Sequence, residues 1–161
     1  MHRAVLAGVL GAAVAALAGA APAFANHGHG NGDGHGDRAV FVQTNDPAGN
    51  EIAVYDRAGD GTLTRAGTYA TGGLGGIASP GTESDHLASQ GSLALTRSHH
   101  LLIAVNAGSD TISVFRVHGG RLQLMQVLPS GGQFPASIGA SRNLVYVLNS
   151  VGTGIVQGFR V

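Results

Sequence analysis

This chain repeats itself, and that constrains its fold more than any other feature. "FVQTN" at 41–45, "IAVN" at 103–106 and "YVLN" at 146–149 each end a strand-like run on Asn. Six or seven residues after each Asn an Ile (Ile52, Ile112, Ile155) opens a second run: "IAVYDR", "ISVFRV" and "IVQGFRV". The tails match as well. "GTLTRAGTYATGG" (61–73) parallels "GRLQLMQVLPSGG" (120–132), with Leu63 and Leu122, like Gly72 and Gly131, 59 residues apart. Between the second and third copies the offset is 43, from Asn106 to Asn149 and from Ile112 to Ile155. A β-repeat of roughly 40–45 residues with about four strands is how a propeller blade is written, because one blade cannot bury its faces without a neighbour.

The strand pattern agrees. Apolar residues recur with period two or in short runs, and no helical period persists. Strands are predicted over 39–44, 51–57, 62–69, 92–96 and 101–106, and then over 111–117, 121–128, 136–140, 144–149 and 155–161. Gly, Asp, Asn and Pro fill the breaks, and Asp60-Gly61 and Gly119-Gly120 look like hairpin turns. With strands lettered A (innermost) to D (outermost), the predicted fold is all-β. It is a partial β-propeller of about three four-stranded antiparallel blades. Blade one (39–73) lacks strand A, blade two (90–132) is complete, and blade three (135–161) lacks strand D. The expectation is a truncated chain, the edge of a larger ring, whose unpaired blade faces lead it to self-associate. The unequal offsets keep a ten-stranded sandwich as the alternative.

Residues 1–25 read as a secretory signal: one charge at Arg3, an Ala-rich apolar run from Ala4 to Ala21, and Ala23-Phe24-Ala25 before the expected cleavage site. The protein is then expected outside the cell, with no membrane segment after cleavage. Residues 26–38 form a Gly/His-rich linker, with Gly at every second position from Gly28 to Gly36. The chain has no Cys, so no disulfides support it. It has no Lys either; all nine basic residues are Arg, scattered against nine acids. Without a basic patch, nucleic acid is excluded as a partner.

The wording "IAVNAGSDTISVFRV…GGRLQLMQVLPSGGQFPASI" (103–138), after a secretory signal, resembles the lactonase-type seven-bladed propellers. This family includes the 6-phosphogluconolactonase-like and carboxymuconate-cyclising enzymes. The likeness covers residues 39–161. It implies hydrolysis of lactones or cyclic esters by a complete propeller. It also implies His, Arg and Glu side chains around a central channel, none of which matches a position here. The blade wording is scaffold, and a fold does not carry its function with it.

Strand direction alternates within a blade, so the B–C loops share a face with the D–A connections. That places Asn45, Asp46, Asn106, Asp110 and Asn149 on one face as a candidate binding surface for a small molecule or a cell-surface carbohydrate. The same Asn residues suit a purely architectural role, since Asn tolerates left-handed backbone and bonds its own turn. The first D–A connection, through "GGLGGIASPGTESDHLASQ" (72–90), is much longer than the second, and long loops on compact domains are often functional. In it His86 beside Asp85, with Gln90, has the composition of a general base and its orienting carboxylate. An ordinary solvated loop accounts for the same residues. No cofactor is expected, but His27, His29 and His35 have the His-x-His spacing that binds a divalent metal weakly. The function classes are therefore a secreted lactonase-like hydrolase, a non-catalytic extracellular binding propeller, and metal binding by the His tract.

Overall fold

The computed structural model describes residues 38–79, 81, 86–87, 89–98 and 100–161. The residues read as a signal sequence (1–25), nearly all of those read as a linker, with His27, His29 and His35, and Asp85 lie outside the described residues.

Among the described residues, ten strands form three antiparallel sheets. The first contains β1 (Ala39–Gln43), β2 (Glu51–Arg57) and β3 (Leu63–Ala70), in that order. The second contains β4 (Leu93–Leu95), β5 (Leu101–Asn106), β6 (Thr111–His118) and β7 (Arg121–Pro129). The third contains β8 (Gln133–Ser141), β9 (Leu144–Val151) and β10 (Ile155–Arg160). Each sheet is a meander joined by turns, as a blade requires, and the sheets match the predicted blades with strands B–C–D, A–B–C–D and A–B–C. The innermost strand of blade three starts three residues earlier than predicted, at Gln133, because the chain runs almost directly from β7 into it. Among the described residues no helix is long and apolar enough to cross a membrane.

The registers fix which residues are equivalent. Gln43 faces Ile52, Val105 faces Ile112 and Leu148 faces Val156. In blades one and two the C–D pairing also carries the same register shift, opposite Val54–Tyr55 and Val114–Phe115, with the extra residue on strand D at Ala66 and at Met125. Such a bulge bends the strand and increases its twist at the same level of both blades. The register also corrects two sequence assignments. Thr44, not Asn45, stands at the place of Asn106 and Asn149, since it follows Gln43 as they follow Val105 and Leu148. The counterpart of Ile112 in blade three is Val156, not Ile155, because the B–C loop after Asn149 is one residue longer. The match then resumes as Phe115/Phe159 and Arg116/Arg160.

Two cores lie between the blades, and both are the same interface. Ile52 and Val54 of blade one pack with Leu102, Ala104, Phe115 and Leu122 of blade two. Ile103, Val105, Ile112 and Val114 of blade two pack with Ile138, Val145 and Val147 of blade three. Alternation along β5 sends Leu102 and Ala104 back towards blade one and Ile103 and Val105 forward towards blade three, so both of its faces are buried. Full burial of each aliphatic side chain contributes about 1.5–3 kcal/mol.

Candidate functional site

The loops between strands B and C and the first D–A connection meet over the junction of blades one and two. Here the chain passes from blade one as a backbone strap, Gly73 to Gly76. Gly73 O accepts from Asn50 N (3.0 Å), Leu74 N donates to Ser109 Oγ (3.0 Å) and Gly75 N donates to Asp46 O (2.8 Å). Asn45 holds Gly76 at both ends: its Nδ2 donates to Gly76 O and its Oδ1 accepts from Gly76 N, each at 2.9 Å. Leu74 O accepts from Gly108 N at 3.0 Å, which fastens the strap to blade two. Close approach explains the glycines. A Cβ on Gly75 would stand 2.2 Å from the backbone of Asn45, and one on Gly73 would stand 2.4 Å from Asn106 Cγ.

Beneath the strap lies a buried polar layer. Asn50 Nδ2 donates to Val105 O and Asn106 Oδ1, both at 2.9 Å. Asn106 Nδ2 donates to Thr111 Oγ1 (3.0 Å) and Ser113 Oγ (2.7 Å), and Ser113 Oγ donates back to Thr71 O (2.8 Å). Thr71 Oγ1 closes the circuit on Asn50 O at 2.9 Å. Blades one and two are thus tied by side chains whose polar atoms are spent on one another, which rigidifies the junction.

The junction of blades two and three repeats this only in part. Asn149, at the position of Asn106, donates from Nδ2 to Ser130 O (3.1 Å), but its Oδ1 has no partner among the described residues. The donor at the other junction is Asn50, and the position preceding β6 that corresponds to it holds Asp110. That residue has left-handed backbone (φ 55°), and its carboxylate accepts from Phe134 N at 2.7 Å.

The remaining candidates are placed as follows. Asp46 is exposed and its Oδ1 accepts from Ala48 N (2.8 Å), closing its own turn. His86 is exposed, and its carbonyl accepts from Ala78 N (2.6 Å), which draws the connection into a closed loop. Gln90 is exposed. Between them Leu87 is buried in the core shared by blades two and three, and Ser89 Oγ bonds Ala136 O, so the connection is anchored on blade three. The B–C loops and this connection therefore share a face, and Asn45, Asp46 and Asn106 meet there. Asn149 and Asp110 belong to the next junction. Asn50 was missed in the sequence, although the polar residue just before strand C, Asn50 or Asp110, marks its position. Among the described residues no three His, Cys, Asp or Glu side chains cluster as metal ligands.

A family model described as "Lactonase, 7-bladed beta-propeller" matches residues 48–156. No curated protein matches the chain. One similar solved structure is a functionally unknown protein from Desulfotomaculum acetoxidans, at 17% identity and a TM-score of 0.48. The match covers 69% of this chain and 34% of that one, so the chain spans about a third of that protein's length.

Proposed function

The chain belongs to the lactonase family of seven-bladed β-propellers, and from that membership we propose that it serves the hydrolysis of a lactone or cyclic ester outside the cell, as blades of such a propeller. The family match across all three blades carries this reading. The face bearing the strap and the long connection is where substrate would meet the protein, with His86 as the general base to test. The signal-like residues 1–25 support an extracellular site of action. The experiment is lactone opening followed by proton release in a pH-stat, with δ-gluconolactone and a γ-lactone as probes. Activity that falls in His86→Ala supports the proposal; opening no faster than in buffer overturns it.

One observation favours a second reading, a non-catalytic binding propeller. Asn45, Asn106 and Asp110 direct their side chains into backbone and buried partners. A face so occupied presents a fixed shape, which suits recognition of a carbohydrate surface. Retention of the chain on an immobilised cell-wall polysaccharide, with no lactone turnover, would favour this reading over the first. We further infer self-association through the open blade faces, supported by their apolar side chains.

A further inference from the structure

On the opposite side from the strap, the two C–D hairpins of blades one and two enclose a groove of about 640 Å³. That volume falls in the roughly 300–1,000 Å³ range of small-molecule sites. Arg38 and Arg57 line it from blade one, Arg121 and His118 from blade two, with Tyr69 and Asp56 between them. A smaller recess of about 230 Å³ continues it and shares Arg38 and Arg57. Three of the nine Arg of a chain with no net charge therefore converge on one groove, against the single carboxylate of Asp56. Among the described residues, Arg38, Arg57 and Arg121 form no ion pair and no side-chain hydrogen bond. Asp56 is turned to the far hairpin: a Cβ on Gly120 would stand 3.4 Å from its Oδ1. The glycine pair at 119–120 adds no side chain of its own to that wall.

We propose that this groove binds a small molecule carrying two or more oxyanion groups, with Arg57 and Arg121 supplying paired N–H forks from opposite walls and Arg38 a third. Guanidinium is the group for this task. It is planar, always charged, and matches a carboxylate or phosphate with two parallel hydrogen bonds. The convergence depends on the fold. In the sequence Arg57 and Arg121 belong to two ordinary hairpins, and only the packing of blade one on blade two brings them together. The groove lies away from the face assigned to lactone hydrolysis and stands independently of that reading.

Carboxylate and phosphate share this chemistry, so the test uses both. Calorimetric titration of the full-length chain with citrate and with glucose 1-phosphate should show binding that weakens as salt rises, with no binding of uncharged glucose. The tighter of the two anions identifies the oxyanion class. Arg57→Gln and Arg121→Gln should each weaken binding about tenfold. Arg57→Lys, which keeps the charge and the stem but loses the fork, should fall between them and the unmodified chain. Arg142→Gln, in a turn of blade three, is the control and should bind normally. Absence of binding by both anions, equal binding of glucose, or an equal loss in Arg142→Gln would overturn the proposal.

Discussion

The strap is sensitive to a single carbon. A methyl on Gly73 meets the side chain of Asn106, which is buried and bonded to Asn50, Thr111 and Ser113. Asn106 cannot yield without breaking that circuit. Gly73→Ala should therefore lower stability by about 1–3 kcal/mol, the usual cost of overpacking. Gly139→Ala is the matched control, because a Cβ there meets nothing within 4 Å, and it should stay within about 0.5 kcal/mol. Urea denaturation of both variants measures the difference. At the far hairpin Asp60 accepts from Thr62 N at 2.9 Å. This bond and the Thr62 hydroxyl hold its carboxyl below the ordinary 3.8. Because the folded pKa is the lower one, the turn is favoured above the unfolded value, and the contribution is lost as pH falls through the folded value. An NMR titration of Asp60 should give a midpoint below 3.8; one at or above it would contradict the bond. The sequence showed the Asn residues but not their partners. Asn45 and Asn106 end similar runs, yet one clamps the strap and the other lies buried under it, because the pairing of Gln43 with Ile52 and of Val105 with Ile112 puts Asn45 one residue beyond the place of Asn106.

At the level of strands, equivalent positions have different neighbours. Ile103 of blade two is fully buried (0%) against blade three, while its counterpart Tyr146 is 46% exposed. Leu148 and Val156, the counterparts of Val105 and Ile112, are 42% and 64% exposed. If the packing of one blade on the next supplies the stability, these equivalent sites should respond unequally. Ile103→Ala should cost about 2–5 kcal/mol, and Tyr146→Ala less than about 1 kcal/mol. Guanidinium unfolding of the two variants decides it; equal losses would mean that the interfaces are not the source. Strand positions were legible because alternation and turn residues are local signals. The one-residue lag after Asn149 was not, since both Ile155 and Val156 suit a strand, and only the cross-strand pairing of Val156 with Leu148 distinguishes them. The basic groove was likewise invisible, because its two walls are separated by more than a blade of sequence.

Across the whole molecule, two interfaces use the same forward face and the same receiving face. Blade three presents the forward face once more, with Tyr146, Leu148 and Val156 in the open. Blade one presents the receiving face, with Val42 and Leu63 exposed at the positions that in blade two hold the buried Ala104 and Leu122. The two surfaces correspond to the two halves of an interface made twice within the chain, and under the proposed self-association a second copy would meet blade three as blade three meets blade two. Contact between unlike faces is heterologous and is not limited to pairs. Sedimentation velocity should therefore show a mass that rises with concentration. Leu148→Glu with Val156→Glu places two charges in the centre of the forward face, and burying an unpaired carboxylate is strongly unfavourable. That double variant should remain monomeric over the same concentrations. Its thermal midpoint in dilute solution should hardly change, because neither residue lies in the two interfaces within the chain. A mass independent of concentration in the unmodified chain would remove the case for these faces as a contact between copies.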